Sequence, residues 1–323
     1  MAKSFAYRKG LIETGNGVWA WMQPDGGWGW SNAGLITDGD ESLLVDTLFD
    51  ASLTREMLAA MSDAAGVAAG DIGTVVNTHA NGDHTHGNGL LTNAEIVASA
   101  ASAREMEAFD GKAMQGFMEA APRLGLAGTY IQEIFGPFDF TDVAEKLPTK
   151  TFSGEMSVGV GDKRVDLIEV GPAHTRGDVL AHVATERTVF TGDILFIDGT
   201  PIMWAGPVSN WIKACDRIID MDAEVIVPGH GPVTDAAGVR RVQDYLRYID
   251  TEARKRFDAG MSVRDAAFDI SLGDFESWGD NERIAINVDT LFREYSGTRE
   301  GPNTVELFGL MGELARDRRG RSA

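Results

Sequence analysis

Asn77-Thr78-His79-Ala80-Asn81-Gly82-Asp83-His84-Thr85-His86-Gly87-Asn88 is the stretch on which the fold turns. It follows a short apolar run, Thr74-Val75-Val76, and places three histidines and an aspartate within eight residues. The whole chain has six histidines, so half of them fall here. A single histidine in a polar loop needs nothing more than solvent or a hydrogen bond. A cluster of this density at the end of a strand points instead to a metal.

Three further segments repeat the arrangement. Val170-Gly171-Pro172-Ala173-His174-Thr175-Arg176-Gly177-Asp178 offers His174, Val189-Phe190-Thr191-Gly192-Asp193 offers Asp193, and Ile226-Val227-Pro228-Gly229-His230-Gly231 offers His230. In each, an apolar strand delivers a histidine or aspartate beside glycine to a loop, where α/β folds place their chemistry. Imidazole and carboxylate ligands without thiolate suit zinc, iron or manganese, and open coordination positions suit catalysis.

The surrounding pattern is α/β. Strands are expected at residues 17–22, 33–37 and 42–46, the last two joined by the turn chemistry of Asp38-Gly39-Asp40-Glu41. Leu53–Ala65 has helical periodicity, and residues 101–147 are mostly helical in pattern. Strand signals return at 164–170, 179–184, 188–191 and 224–227, with a helix at 209–220 between the last two. Alternating strands and helices give an α/β domain. After Asp235 the pattern is helical through 239–257, 263–269 and 281–295. The expected organisation is a catalytic domain over residues 1–235, a helical subdomain over 236–300 packed on it, and a loosely ordered tail over 301–323.

Composition removes other functions. The 323 residues carry 29 Lys and Arg against 49 Asp and Glu, a formal charge of −20. Such an excess repels phosphate backbones, so no nucleic-acid partner is expected. The one cysteine, Cys215, excludes an intramolecular disulfide framework and a Cys-rich metal site, and it sits in an apolar helical pattern. No stretch approaches 18 apolar residues, and Met1–Ala6 has no apolar signal core. The expectation is a soluble, cytoplasmic protein with no membrane partner. A homodimer through the C-terminal helices is also compatible with the Leu291, Phe292 and Tyr295 stripe.

Taken together, the four segments resemble the metallo-β-lactamase superfamily of metal-dependent hydrolases. That superfamily's first motif is His-x-His-x-Asp-His, and this chain has His79-Ala80-Asn81-Gly82-Asp83-His84. The other three segments follow in the family's order, and the resemblance covers residues from about 15 to 235. It implies a four-layer αβ/βα sandwich with the metals at one edge, here with a helical C-terminal extension. It also implies that His79 and His174 hold a first metal, that Asp83, His84 and His230 hold a second, and that Asp193 bridges the two. Asp46, in Leu44-Val45-Asp46-Thr47, matches a position that supports the ligands from behind.

Asn81 departs from the family, standing where the second histidine normally is. An amide oxygen is a poorer zinc ligand than imidazole. Three readings follow: only the second site holds metal tightly; Asn81 ligates weakly or faces substrate while two metals bind; or His86 substitutes as an extra ligand. The implied cofactor is zinc, one or two per chain, with iron or manganese as alternatives.

A metal-bound hydroxide would then cleave an ester, lactone, thioester or amide. Asp83 would orient it, and Asn81 or the metal would stabilise the oxyanion. The sequence has no Gly-x-Ser-x-Gly elbow. Trp28 and Trp30, after a Gly-rich turn, and Met203 and Trp204, after Asp193, are candidate walls for a small apolar or aromatic substrate. Two alternatives from other classes stand beside this reading: an iron-dependent oxygen or persulfide redox enzyme, and a degenerate binding protein without catalysis.

Overall fold

The computed structural model describes residues 5–108, 111–298 and 301–322. A seven-stranded sheet runs in sequence order: β1 (Gly10–Gly15), β2 (Val18–Met22), β3 (Ala33–Asp38), β4 (Glu41–Val45), β5 (Thr74–Val76), β6 (Glu95–Ser99) and β7 (Lys150–Phe152). Its first four strands are antiparallel neighbours, and β4 to β7 are parallel. The second sheet holds β8 (Glu155–Val160), β9 (Lys163–Glu169), β10 (Val179–Val183), β11 (Thr188–Phe190) and β12 (Val225–Val227), in the order β12-β11-β10-β9-β8.

The period of two along these strands decides the layering. In β4, Leu43 and Val45 face the other sheet while Leu44 faces away; in β5, Val76 faces in and Val75 out. The inward set meets Val165, Leu167, Val179, Ala181 and Val183 of the second sheet in one dry core. The outward set packs on α1 (Ala51–Ala65), whose Met57, Leu58 and Met61 are buried. Asp50 starts that helix by accepting the Leu53 N–H, and Gly66 ends it in the left-handed region.

The remaining helices are α2 (Gly82–Thr85), α3 (Ala100–Ala108), α4 (Gly111–Ala120), α5 (Gly125–Phe135), α6 (Val208–Asp220), α7 (Ala236–Asp258), α8 (Val263–Asp269), α9 (Ile284–Ser296) and α10 (Thr304–Ser322). The outer face of the second sheet, with Leu180, Val189 and Ile226, is covered by Trp211, Cys215 and Ile218 of α6. Behind α6 lie Tyr245, Leu246 and Ile249 of α7 and Leu291 of α9. Helix, sheet, sheet, helix is the expected four-layer sandwich, with the expected helical extension on one side. No helix among the described residues is long and apolar enough to cross a membrane.

One expectation is corrected. Instead of a loose tail after 301, Thr304–Ser322 form α10, and its Leu307, Phe308, Leu310, Met311 and Leu314 are buried. These side chains recur every three or four residues and form one face that joins the largest core cluster. Arg319 pairs with Glu133 of α5, and Arg264 of α8 pairs with Glu313, so the basic end that reads as frayed is tied down.

Met311 is fully buried. Met311→Ala is expected to lower the unfolding free energy by about 2–5 kcal/mol, the usual cost of emptying such a site. Urea denaturation measures this, and a change within about 0.5 kcal/mol would mean that α10 is not docked.

Candidate metal centre

Each chemical side chain leaves a strand at the same edge of the sandwich. β5 ends at Val76, and His79 follows in the loop; Asp83 and His84 lie in the single turn of α2. His174 lies between β9 and β10, Asp193 follows β11, and His230 follows β12. The Asp193 carboxylate is the centre of the group. His79, His174 and His230 place their Nε2 atoms 3.7, 3.4 and 3.4 Å from its Oδ2, and His84 Nε2 lies 3.1 Å from its Oδ1. Asp83 Oδ2 is 3.3 Å from His230 Nε2 and 3.8 Å from His84 Nε2.

Two sets could each hold an ion: His79, His84 and Asp193, and Asp83, His84 and His230. His174 adjoins the first through Asp193. All six side chains expected as ligands are therefore brought together and buried. The grouping differs from the expected one in that His84 belongs to both sets.

Hydrogen bonding behind the ligands fixes which nitrogen faces the centre. His174 Nδ1 donates to the Ile202 carbonyl at 2.6 Å, which leaves a lone pair on Nε2. Asp46 does the same for the first motif. Its Oδ2 lies 2.9 Å from His84 Nδ1 and accepts from the Thr78 hydroxyl at 2.7 Å, and that hydroxyl lies 3.0 Å from His79 Nδ1. Its Oδ1 accepts the Thr78 N–H at 2.7 Å. One carboxylate thus orients two imidazoles. The His174 loop is held likewise by Asp178, whose carboxylate accepts from the Thr175 hydroxyl and from the N–H groups of Ala173 and Thr175.

The Nε2 atoms of His79, His84 and His174 and Oδ1 of Asp193 are all buried with no hydrogen-bond partner. Leaving such groups unmatched costs about 1–3 kcal/mol each. A cation at their meeting point would satisfy all four, so the residues fit a divalent ion. The titration pattern points the same way. Burial alone would push His84 and His230 down, yet the surrounding carboxylates outweigh it: His84 is held well above the ordinary histidine range by Asp193, Asp83 and Asp46, and His230 is raised to about 9 by Asp193 and Asp83. Burial would raise Asp83, but His84 and His230 bring it down to about 2. Burial and the neighbouring His84 push His79 well below its usual range.

Asn81 caps α2 without a side-chain hydrogen bond and borders the cavity above the centre. Its carbonyl accepts from His84 N–H and the Thr85 hydroxyl. His86 falls in neither ligand set. Its Nδ1 lies 3.2 Å from the Phe49 carbonyl and its ring stacks on Phe49, so it is a wall of the cavity.

The cavity has a volume of about 450 Å³. Of the four expected wall residues, Trp28 and Trp204 line it, 6.5 Å apart between ring centroids. Trp30 and Met203 do not. Gly29, at φ +74°, turns the chain so that Trp30 packs on Phe138 instead, and a Cβ at Gly29 would come within 2.4 Å of Phe49. Met203 is buried beneath the loop, its N–H bonded to Asn287, and Ile202 takes its place.

Sequence reasoning missed Phe49, Phe135, Arg283 and Phe308, which line the cavity from four distant segments. Arg283 is fully buried, with its guanidinium 4.5 Å over the Trp28 ring and 5.3 Å from Phe196, which in turn stacks on His230. A larger cleft of about 910 Å³ between α5, α8 and α10 contains neither ligand set, so the smaller cavity is the candidate site.

The metallo-β-lactamase superfamily model matches residues 26–230. A beta-lactamase-like protein 2 homolog from Caenorhabditis elegans is 31% identical over 77 residues, 24% of this chain and 25% of that protein. The match spans 25–39% of the length of the curated relatives. Among solved structures, a stereoselective inverting sec-alkylsulfatase from Pseudomonas sp. superposes with a TM-score of 0.65 at 13% identity, covering 93% of this chain and 52% of that one. A metallo-beta-lactamase from Pontibacter korlensis gives 0.55 at 17% identity, covering 74% and 99%. At these identities the two structures establish the fold.

Two outcomes test the centre. Asp46→Ala is expected to weaken zinc binding about 10- to 100-fold, as loss of a ligand's supporting partner does; competition with a chromophoric chelator reads this. The surrounding carboxylates raise His84 and bring His230 up to about 9, so metal loading is expected to release protons. Zinc affinity should therefore rise with pH up to about 9. Calorimetry in buffers of different ionisation enthalpy should find protons released, and pH-independent binding would contradict the assignment.

Proposed function

The chain belongs to the metallo-β-lactamase superfamily, and we propose that it is a zinc-dependent hydrolase of an ester-type bond (ester, lactone, thioester or amide) in a small apolar or aromatic molecule. The observation that carries this reading is the set of unpartnered, buried nitrogen lone pairs around Asp193, at the floor of a cavity whose upper walls are aromatic rings. His79, His174 and Asp193 would hold one ion, and Asp83, His84 and His230 with Asp193 the other. With Asn81 in place of an imidazole, the first site is the weaker. A divalent ion held there lowers the pKa of water towards neutrality, so that hydroxide is available at pH 7.

The chain's own residues would do the rest. Asp83, kept ionised by His84 and His230, would accept a hydrogen bond from the attacking water and orient it towards the carbonyl carbon. As the water oxygen bonds to that carbon, Asp83 would take its proton and then pass it to the leaving oxygen, nitrogen or sulfur as the bond from that atom to the carbon breaks. The Asn81 amide would donate to the carbonyl oxygen as it gains charge. Trp28, Trp204 and Phe196 would exclude bulk water. The Cys215 thiol does not compete as a nucleophile, since it is fully buried and burial pushes it up to about 12. The charge of −20 favours a small molecule over nucleic acid as the substrate.

The test is metal analysis after exhaustive dialysis, followed by a panel of esters, lactones and thioesters on the zinc, manganese and iron forms. Zinc should support turnover, chelation should abolish it and re-addition restore it. His84→Ala should lower kcat/KM by more than about 100-fold, the upper end of what loss of a merely supporting partner costs. A metal-loaded protein that is inert on the whole panel, or a His84→Ala variant that keeps its rate, would overturn the reading.

A further inference from the structure

The cavity has two unlike parts. Asn81, Asp83, Thr175 and the ligands line it on one part, and rings line much of the rest, among them Phe308 of α10, with Glu105, Arg283 and Thr304 as further polar lining. Phe308 is buried, with its ring centroid 5.8 Å from Trp28, 5.6 Å from Phe117, 6.1 Å from Phe135 and 6.3 Å from Tyr130. Those four rings come from the β2–β3 loop, α4 and α5. Phe308 therefore forms, with Thr304, the wall that the C-terminal helix gives the cavity, and its ring is the bulky stopper on that side.

The stopper is held independently of the ring. Leu307, Met311 and Leu314 anchor α10 in the core, and the pairs Arg319–Glu133 and Arg264–Glu313 tie its far half. The helix thus keeps several anchors besides the Phe308 ring. The cavity they share is lined mainly by apolar groups, so that an apolar substituent gains by filling it until it meets the Phe308 ring.

We infer that Phe308 determines substrate specificity: it fixes the length of the apolar acyl or aryl group accepted beside the scissile bond. The inference rests on the proposed hydrolase reading. It assigns to that site a substrate class of small esters whose apolar group runs from the metal centre to α10 and ends there. A longer group is excluded by contact with the ring.

The experiment uses the full-length zinc-loaded protein and 4-nitrophenyl esters from acetate to decanoate. The wild type should reach its best kcat/KM at an intermediate chain and fall beyond it. Phe308→Ala should move the optimum at least two methylenes longer and raise the decanoate-to-butyrate ratio by about tenfold or more, the value of two buried methylenes. Phe308→Trp should move it shorter. Phe308→Leu covers the case in which the alanine variant folds poorly.

A second readout does not need turnover: quenching of tryptophan fluorescence by butyrate and decanoate, in wild type and variants. Decanoate affinity gained in Phe308→Ala, or in Phe308→Leu, supports the assignment even if no ester is cleaved, in which case the hydrolase reading alone falls. Identical chain-length profiles and identical decanoate binding in the folded variants would overturn the role of Phe308.

Discussion

The constraint on which the structure depends is electrostatic. Four imidazoles and two carboxylates are buried around Asp193, with contacts of 3.1 to 3.8 Å. Such a cluster is tolerable only if positive charge is supplied from within, because burying unpaired carboxylates costs several kcal/mol each. A divalent ion at the centre would supply it and would also satisfy the buried ligand atoms that have no hydrogen-bond partner. The strands of both sheets must then end at one edge. The segments around that edge lock together: the Asn32 side-chain amide donates to the carbonyls of Pro228 and Gly231, Asn32 N–H donates to the Gly229 carbonyl, and Gly229 N–H donates to the Gly192 carbonyl. Gly229 is required there, for a Cβ would lie 2.0 Å from Asp193 Oδ1.

Behind that centre, Asp46 converts β-sheet register into ligand orientation. Its own N–H is bonded to Val76 of the neighbouring strand, and its side chain reaches Thr78 and His84. To do both it adopts φ +63°, a left-handed conformation that is uncommon for a residue other than glycine. Strain of this kind persists where surrounding contacts over-determine it. Here they comprise the β4–β5 pairing on one side and the Thr78 and His84 hydrogen bonds on the other.

The ligands and Asp46 were legible in the sequence because each is a chemically distinctive residue placed just after an apolar strand. The layers were legible through the family resemblance of the four segments, because Leu43-Leu44-Val45 and Val75-Val76 are continuous apolar runs whose alternation between the two faces shows only in the fold. The cavity walls were not, because Phe49, Phe135, Arg283 and Phe308 look like ordinary core or surface residues in their own segments and acquire a role only when four segments meet. The placing of Trp30 on Phe138 follows the backbone turn at Gly29, and Met203 is held off the cavity by hydrogen bonds of its main chain to Asn287 and Thr290. The α10 stripe of Leu307, Leu310, Met311 and Leu314 was available to sequence reasoning, but Gly309, Gly312 and the arginine-rich end drew attention away from it.

The C-terminal helices therefore belong to the site. Arg283 lies at the start of α9, donates to the Thr200 carbonyl and pairs with Asp280, while its guanidinium lies near the rings of Trp28 and Phe196. Phe196 stacks almost parallel on His230, at 3° and 5.0 Å. A cation near two aromatic faces polarises and immobilises both. The wall of the cavity and the imidazole at its floor are thus braced by one residue from beyond position 235. Variation in these helices can reshape the cavity while the four strand-end segments keep the same ligands, so one centre can serve different substrates.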